Sequence, residues 1–154
     1  RQMCIRDRHQ SMLLNLFDLE SATVDDIMVP RSQMESVDIA ADPDELRRRI
    51  ATSNHTRIPV YDHAEDNIVG ILHLRKFLNL GEVEEFSQER LRQVLRPPYF
   101  VPQGTTLLTQ MQQFQEKQER MGLVVDEYGE LMGLVTLEDI LEEIVGEFTT
   151  QSPL

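Results

Sequence analysis

Residues Gly133–Ile140 read Gly-Leu-Val-Thr-Leu-Glu-Asp-Ile. This stretch joins an apolar strand, Leu131–Val135, to a helix running from Leu137 to about Phe148. Gly133 allows close backbone approach. Thr136 stands where the helix begins, at amides that point outward and favour phosphate. Asp139 lies one helical turn on, where a carboxylate can accept from both hydroxyls of a ribose. The structural alternative is a plain capping pair, Thr136 with Asp139.

Working outward, the strand before it is Gly122–Asp126, joined through the tight turn Glu127-Tyr128-Gly129-Glu130. Before that, a short strand Tyr99–Val101 passes through Pro102-Gln103-Gly104 into a helix carrying Leu107, Leu108, Met111 and Phe114. The same order occurs upstream. A strand Met34–Ile39 leads to a helix with Asp42 as N-cap, Pro43 as first residue and Leu46 and Ile50 as its apolar stripe. Strands Arg57–Tyr61 and Ile68–His73 follow, separated by a polar loop Asp62–Asn67, and a helix Leu74–Leu80 closes the unit. Gly70 and Gly133 correspond at an offset of 63 residues, so the chain is a two-fold β-α-β-β-α repeat. The expected division is a non-native tail 1–8, a lead-in helix and linker 9–22, repeat one 23–80, a linker 81–98, repeat two 99–148 and a tail 149–154. Ser21 and Thr23 are candidate caps of a short helix that ends before Pro30. Neither repeat has enough apolar surface alone. The expected fold class is therefore α/β (α+β), two repeats packed sheet on sheet with helices outside.

The 154 residues carry 27 acidic and 15 basic side chains, a net charge of −12. That balance, without a basic patch, argues against nucleic acid as a partner. It also means that a polyphosphate would need local Arg or Lys contacts, a helix N-terminus or Mg2+. The single cysteine, Cys4, cannot form an internal disulfide and fits a reducing compartment. No apolar run reaches bilayer length, the longest being Met12–Phe17, and no signal peptide is evident.

The repeat order and GLVTLEDI (Gly133–Ile140) resemble the CBS domain family. MVPRS (Met28–Ser32), TRIPVY (Thr56–Tyr61), GLVVDEYG (Gly122–Gly129) and EDILEEIVGEF (Glu138–Phe148) narrow the resemblance to its CorC/CorB/CNNM, or hemolysin-like, branch, over roughly Thr23–Phe148. The resemblance implies a cytosolic module of a membrane protein linked to Mg2+ or Co2+ transport. It also implies a soluble fragment at the cytoplasmic face of the inner membrane, partnered by the membrane domain of its own chain, and a homodimer formed through the pair. The ligand it implies is an adenine nucleotide, ATP or else ADP or AMP, with Mg2+ carried by the phosphates. Thr136 and Asp139 would hold the ribose and first phosphate. A base needs an apolar slot edged with backbone polar groups; Tyr99, Val101 and Pro102, with Gly122 and Leu123, are the candidates. Tyr99 could stack on adenine, whereas Phe100 reads as ordinary core. For the phosphates, Arg57 is the first choice and Arg31 the second, with Arg120 also near the slot.

Repeat one departs from the motif, with His73 and Lys76 where repeat two has Thr136 and Asp139. Lysine cannot accept from ribose hydroxyls, so one nucleotide per pair is expected. Arg47-Arg48-Arg49 reads as the wet face of a helix, and the acidic face of the last helix as solvated. Asp62, His63, Glu65 and Asp66 read as a polar turn, not a metal site. No catalytic constellation is present, neither HExxH, nor P-loop, nor nucleophile elbow, so no enzyme is expected. The competing readings are a ligand-free dimerisation scaffold and a regulatory module of a cytosolic enzyme.

Overall fold

The computed structural model of the protein describes residues 21–75 and 88–150. The tail 1–8, the helix proposed around Ser11–Leu19, Lys76 and the rest of the Leu74–Leu80 helix, the linker residues 81–87 and the final residues 151–154 lie outside that range. The chain forms two compact units.

One unit contains Met34–Pro98. β2 (Val37–Asp38) runs parallel to β3 (Arg57–Asp62), which pairs antiparallel with β4 (Ala64–His73). Between β2 and β3 lies α2 (Pro43–Thr52), started as its sequence dictates, with Asp42 Oδ1 accepting from Asp44 N at 3.2 Å and Pro43 at its first turn. Leu46 and Ile50 are buried while Arg47, Arg48 and Arg49 are exposed. They join Val37, Ile39, Ile58, Val60, Leu72, Leu74 and Leu91 in one core, Leu91 being supplied by α3 (Gln88–Val94).

The other unit combines Ser21–Gln33 with the chain from Tyr99 onward. Its sheet has the order β1 (Val29–Pro30), β7 (Leu131–Thr136), β6 (Met121–Val125), β5 (Phe100–Pro102). β5 is parallel to β6 and connected to it through α4 (Leu107–Lys117), while β6 and β7 form an antiparallel hairpin. α5 (Leu137–Thr150) follows β7 directly. The core consists of Val24, Val101, Leu107, Phe114, Val124, Val135 and Ile140. No helix among the described residues is long and apolar enough to cross a membrane.

The sequence repeats and the compact units divide the chain differently. α1 (Val24–Ile27) and β1 precede the first repeat's strands yet belong to the second repeat's unit. Val24 N donates to Thr105 O at 2.8 Å, Leu107 N to Ala22 O at 3.0 Å, and Pro30 pairs with Gly133. In the other unit Arg96 does the same for β4, exchanging amide and carbonyl with Ile71 at 2.9 Å in each direction. In each case the incoming strand covers an edge that would otherwise leave unpaired backbone groups. The glycines explain why the strand fits. A Cβ on Gly133 would collide with the carbonyl oxygen of Val29, and one on Gly70 would lie 2.9 Å from that of Arg96.

Three local expectations are corrected. The strand expected at Met34–Ile39 shrinks to Val37–Asp38. The loop expected at Asp62–Asn67 collapses to a turn at His63 (φ 66°), because β4 already begins at Ala64. Phe100, expected in the core, is 49% exposed, since alternation along β5 turns its neighbour Val101 inward instead.

Candidate functional site

The junction of β7 and α5 is built as a cap. Thr136 Oγ1 accepts from Asp139 N at 3.1 Å, and Leu137 N donates to Arg120 O at 2.9 Å, tying the helix start to the head of β6. The bond to Thr136 comes from the backbone of Asp139, so its carboxylate is not used by the cap. Asp139 is half-buried, and its carboxylate accepts no hydrogen bond among the described residues. It is an unsaturated acceptor beside a helix N-terminus, suited to hydroxyl donors.

The sheet register brings further candidates to the same end. Thr136 faces Met121, Val135 faces Gly122, and Leu123 N donates to Tyr99 O at 2.8 Å. Tyr99 therefore stands two strands from β7, about 10 Å across the sheet. Gly122 lies flat under Tyr99 and Val101, because a Cβ there would collide with Val101 Cγ2 and reach the Tyr99 ring at 3.5 Å. Tyr99 is half-buried. Its hydroxyl accepts from the buried Gln110 Nε2 at 3.2 Å, and its ring tilts at 60° against Phe114 with centroids 5.8 Å apart. Lys117 Nζ lies 5.3 Å from the ring centroid, so a purine stacking on that face would displace this cation.

The remaining candidates lie elsewhere. Val101 and Leu123 are fully buried, with the Val101 side chain in the core. Pro102 is level with Val125, four residues along from the level of Thr136, or about 13 Å. Arg31 follows Pro30, which faces Gly133, so the antiparallel register carries it away from Thr136. It is half-buried in the 3-10 turn Arg31–Gln33, which packs against β7. Arg57 belongs to the other unit, at the head of β3 opposite His73. Arg120 is bonded to Glu138 at 3.4 Å on the surface. Two residues were missed in the sequence, Lys117 and Gln110. Their signal was helical spacing: Gln110 and Lys117 flank Phe114 at i−4 and i+3 and share its face.

At the Asp62–His63 turn, Arg92 Nη2 reaches Asp62 Oδ2 at 3.1 Å and His63 Nδ1 reaches Oδ1 at 2.6 Å. The Arg92 hydrogen bond is the main reason that the Asp62 carboxyl lies below its ordinary range. Among the described residues no three His, Cys, Asp or Glu side chains are placed to hold a metal ion.

The sequence profile described as CBS domain matches residues 24–82 and 91–146. The chain is 48% identical, over 147 residues, to the UPF0053 inner membrane protein YfjD of Escherichia coli K12, covering 95% of this chain and 34% of that protein. It is 36% identical, over 154 residues, to the magnesium and cobalt efflux protein CorC of Pasteurella multocida, covering 93% and 50%. The chain thus spans about a third to a half of these curated relatives. Among solved structures, a CBS-domain pair from Klebsiella pneumoniae with bound AMP is similar at 43% identity and TM-score 0.76, covering 81% of this chain and 99% of that one. The CBS domain of a bacterial CNNM/CorC family Mg2+ transporter in complex with ATP is similar at 34% identity and TM-score 0.81, covering 90% and 98%.

Proposed function

The chain belongs to the CBS domain family, as a tandem pair of the CorC/CNNM branch, and from that we propose that it is an adenine-nucleotide-binding regulatory module of a membrane Mg2+ or Co2+ transport protein. The observation that carries the reading is the half-buried carboxylate of Asp139, unbonded among the described residues and held next to the Thr136 cap at the sheet end shared with Tyr99 and Gly122. Asp139 would accept from the ribose hydroxyls, Thr136 and the first amides of α5 would face the first phosphate, and the base would lie toward Tyr99, Val101, Pro102, Gly122 and Leu123. Arg57 and Arg31 are the proposed cationic contacts for further phosphates, and Lys117 joins them. The AMP and ATP in the two similar structures support this ligand class.

Mg2+ would arrive with the phosphates, since it dehydrates reluctantly and prefers phosphate oxygens to a dedicated protein cage. The nucleotide acts as a ligand and is not turned over. It can shift the module between two arrangements only by its differential affinity for them. The repeats, 23–80 and 99–148, would report that shift through a homodimer to the membrane domain of the same parent, at the cytoplasmic face of the membrane.

The test is a thermal-unfolding titration with ATP, ADP and AMP, with and without Mg2+. Specific binding stabilises by about 2.7 kcal/mol at a hundredfold excess over Kd. That corresponds to a Tm rise of roughly 5–10 °C for a chain of this size. Asp139→Ala keeps the cap bond, which its backbone donates, and is expected to unfold close to the unmodified chain while losing the nucleotide response. No response to any nucleotide in the folded chain would leave a scaffold without a ligand.

A further inference from the structure

The ring of Tyr99 is held from several sides. Its hydroxyl accepts from Gln110 Nε2 at 3.2 Å, and Gln110 is the one buried polar side chain among the described residues, 1% exposed. Phe114 lies tilted at 60° against the ring, and Gly122 packs so close that a Cβ there would reach the ring at 3.5 Å. Moving the ring would leave the buried Gln110 amide without this partner, so the ring stays where it is fixed.

The solvent side is covered by Lys117, an exposed residue in the last turn of α4, with Nζ 5.3 Å from the ring centroid. Lys117 makes no ion pair among the described residues, and the ring is the partner that keeps the ammonium there. The two holds differ in strength. The ring is wedged into the core, whereas the ammonium rides on a flexible four-carbon stem in an exposed contact. A planar base arriving at Tyr99 therefore displaces Lys117 and not the ring.

We propose that Lys117 sets the selectivity of the site for phosphorylated adenine ligands over the bare nucleoside. The inference rests on the nucleotide reading of Tyr99 and Asp139. In the unliganded chain Lys117 occupies the ring and competes with the base. A nucleoside breaks that contact and gives the ammonium no new partner. A nucleotide breaks it and offers its phosphate tail, an anion that the displaced ammonium binds. In a chain of net charge −12, that exchange also offsets repulsion between the phosphates and the protein.

The test is isothermal titration calorimetry of the unmodified chain, Lys117→Ala and Lys117→Arg with adenosine and with ATP, at fixed pH, ionic strength and Mg2+. Lys117→Ala should bind adenosine about two- to fivefold more tightly than the unmodified chain, the equivalent of one exposed cation–π contact. It should bind ATP more weakly, so that the two dissociation constants draw together. Lys117→Arg keeps the charge and stacks better on the ring, and should weaken adenosine while retaining ATP. A merely structural role would weaken both ligands together. Adding Asp139→Ala to Lys117→Ala should abolish the adenosine gain, which ties it to this site. By NMR, the Lys117 ε-methylene protons should be shifted upfield by the ring in the unliganded chain and return to their ordinary position when ATP saturates it. Adenosine binding no tighter in folded Lys117→Ala overturns the proposal, as does an equal change for adenosine and ATP. In either case, ATP binding by the unmodified chain that is lost in Asp139→Ala leaves the nucleotide reading standing. An unmodified chain that binds neither ligand overturns both.

Discussion

Thr136 and Asp139 divide two tasks between neighbouring groups. The Thr136 hydroxyl caps α5 through Asp139 N, and the Asp139 carboxylate stays available. Thr136→Ala is therefore expected to cost about 1 kcal/mol of stability. Asp139→Ala should lose only the smaller attraction to the helix N-terminus, about 0.3–1 kcal/mol. Equilibrium denaturation of the two variants checks the order, and a larger loss in Asp139→Ala would contradict it. Gly133 is constrained for another reason. Its missing side chain makes room for the carbonyl of Val29, so Gly133→Ala should destabilise by about 1–3 kcal/mol by overpacking. The motif spacing in the sequence pointed to both residues. It did not distinguish a cap from a ligand site, because that depends on whether side chain or backbone makes the bond.

The elements kept their identities where local chemistry was strong. α2 begins at Asp42 and Pro43 as their capping preferences require, and α4 begins after Thr106, whose hydroxyl accepts from Thr109 N at 3.3 Å. Boundaries moved where pairing overrode composition. The acidic stretch after His63 looks like a loop, but β3 offers it a partner strand as far as Asp62–Ala64. The same turn predicts a pH effect. The Asp62 carboxyl is held below its ordinary value of 3.8 by Arg92, so its contribution to stability is present above that value. It is lost as pH falls from 3.8 through the lowered native value. Denaturant midpoints of the unmodified chain and Asp62→Asn should therefore differ at neutral pH and converge once the pH falls below the lowered native value. A gap that persists at low pH would show that the pair contributes nothing through ionisation.

At the scale of the molecule, each core closes only when a distant segment joins it. Val24 lies with Phe114 and Ile140, although some 90 residues of chain separate the first two. Phe114→Ala should cost about 3–5 kcal/mol. By contrast, Val24→Ser should loosen the edge of β7, read as faster amide exchange at Leu134 while β3 is unaffected. Equal exchange changes in β3 and β7 would mean that the two units do not unfold separately. The two-fold repeat, the mixed α/β class and the helix starts at Asp42-Pro43 and Thr136 were legible in the sequence. All of these depend on local spacing, side-chain chemistry or internal similarity. Only the tertiary structure decided that the segment before each repeat pairs with the last strand of a unit, that Lys117 covers Tyr99, and that Arg57 stands opposite His73. Those facts rest on which strand edge needs a partner and on cross-strand register. Both are relations between residues far apart in the chain, and no local pattern encodes them.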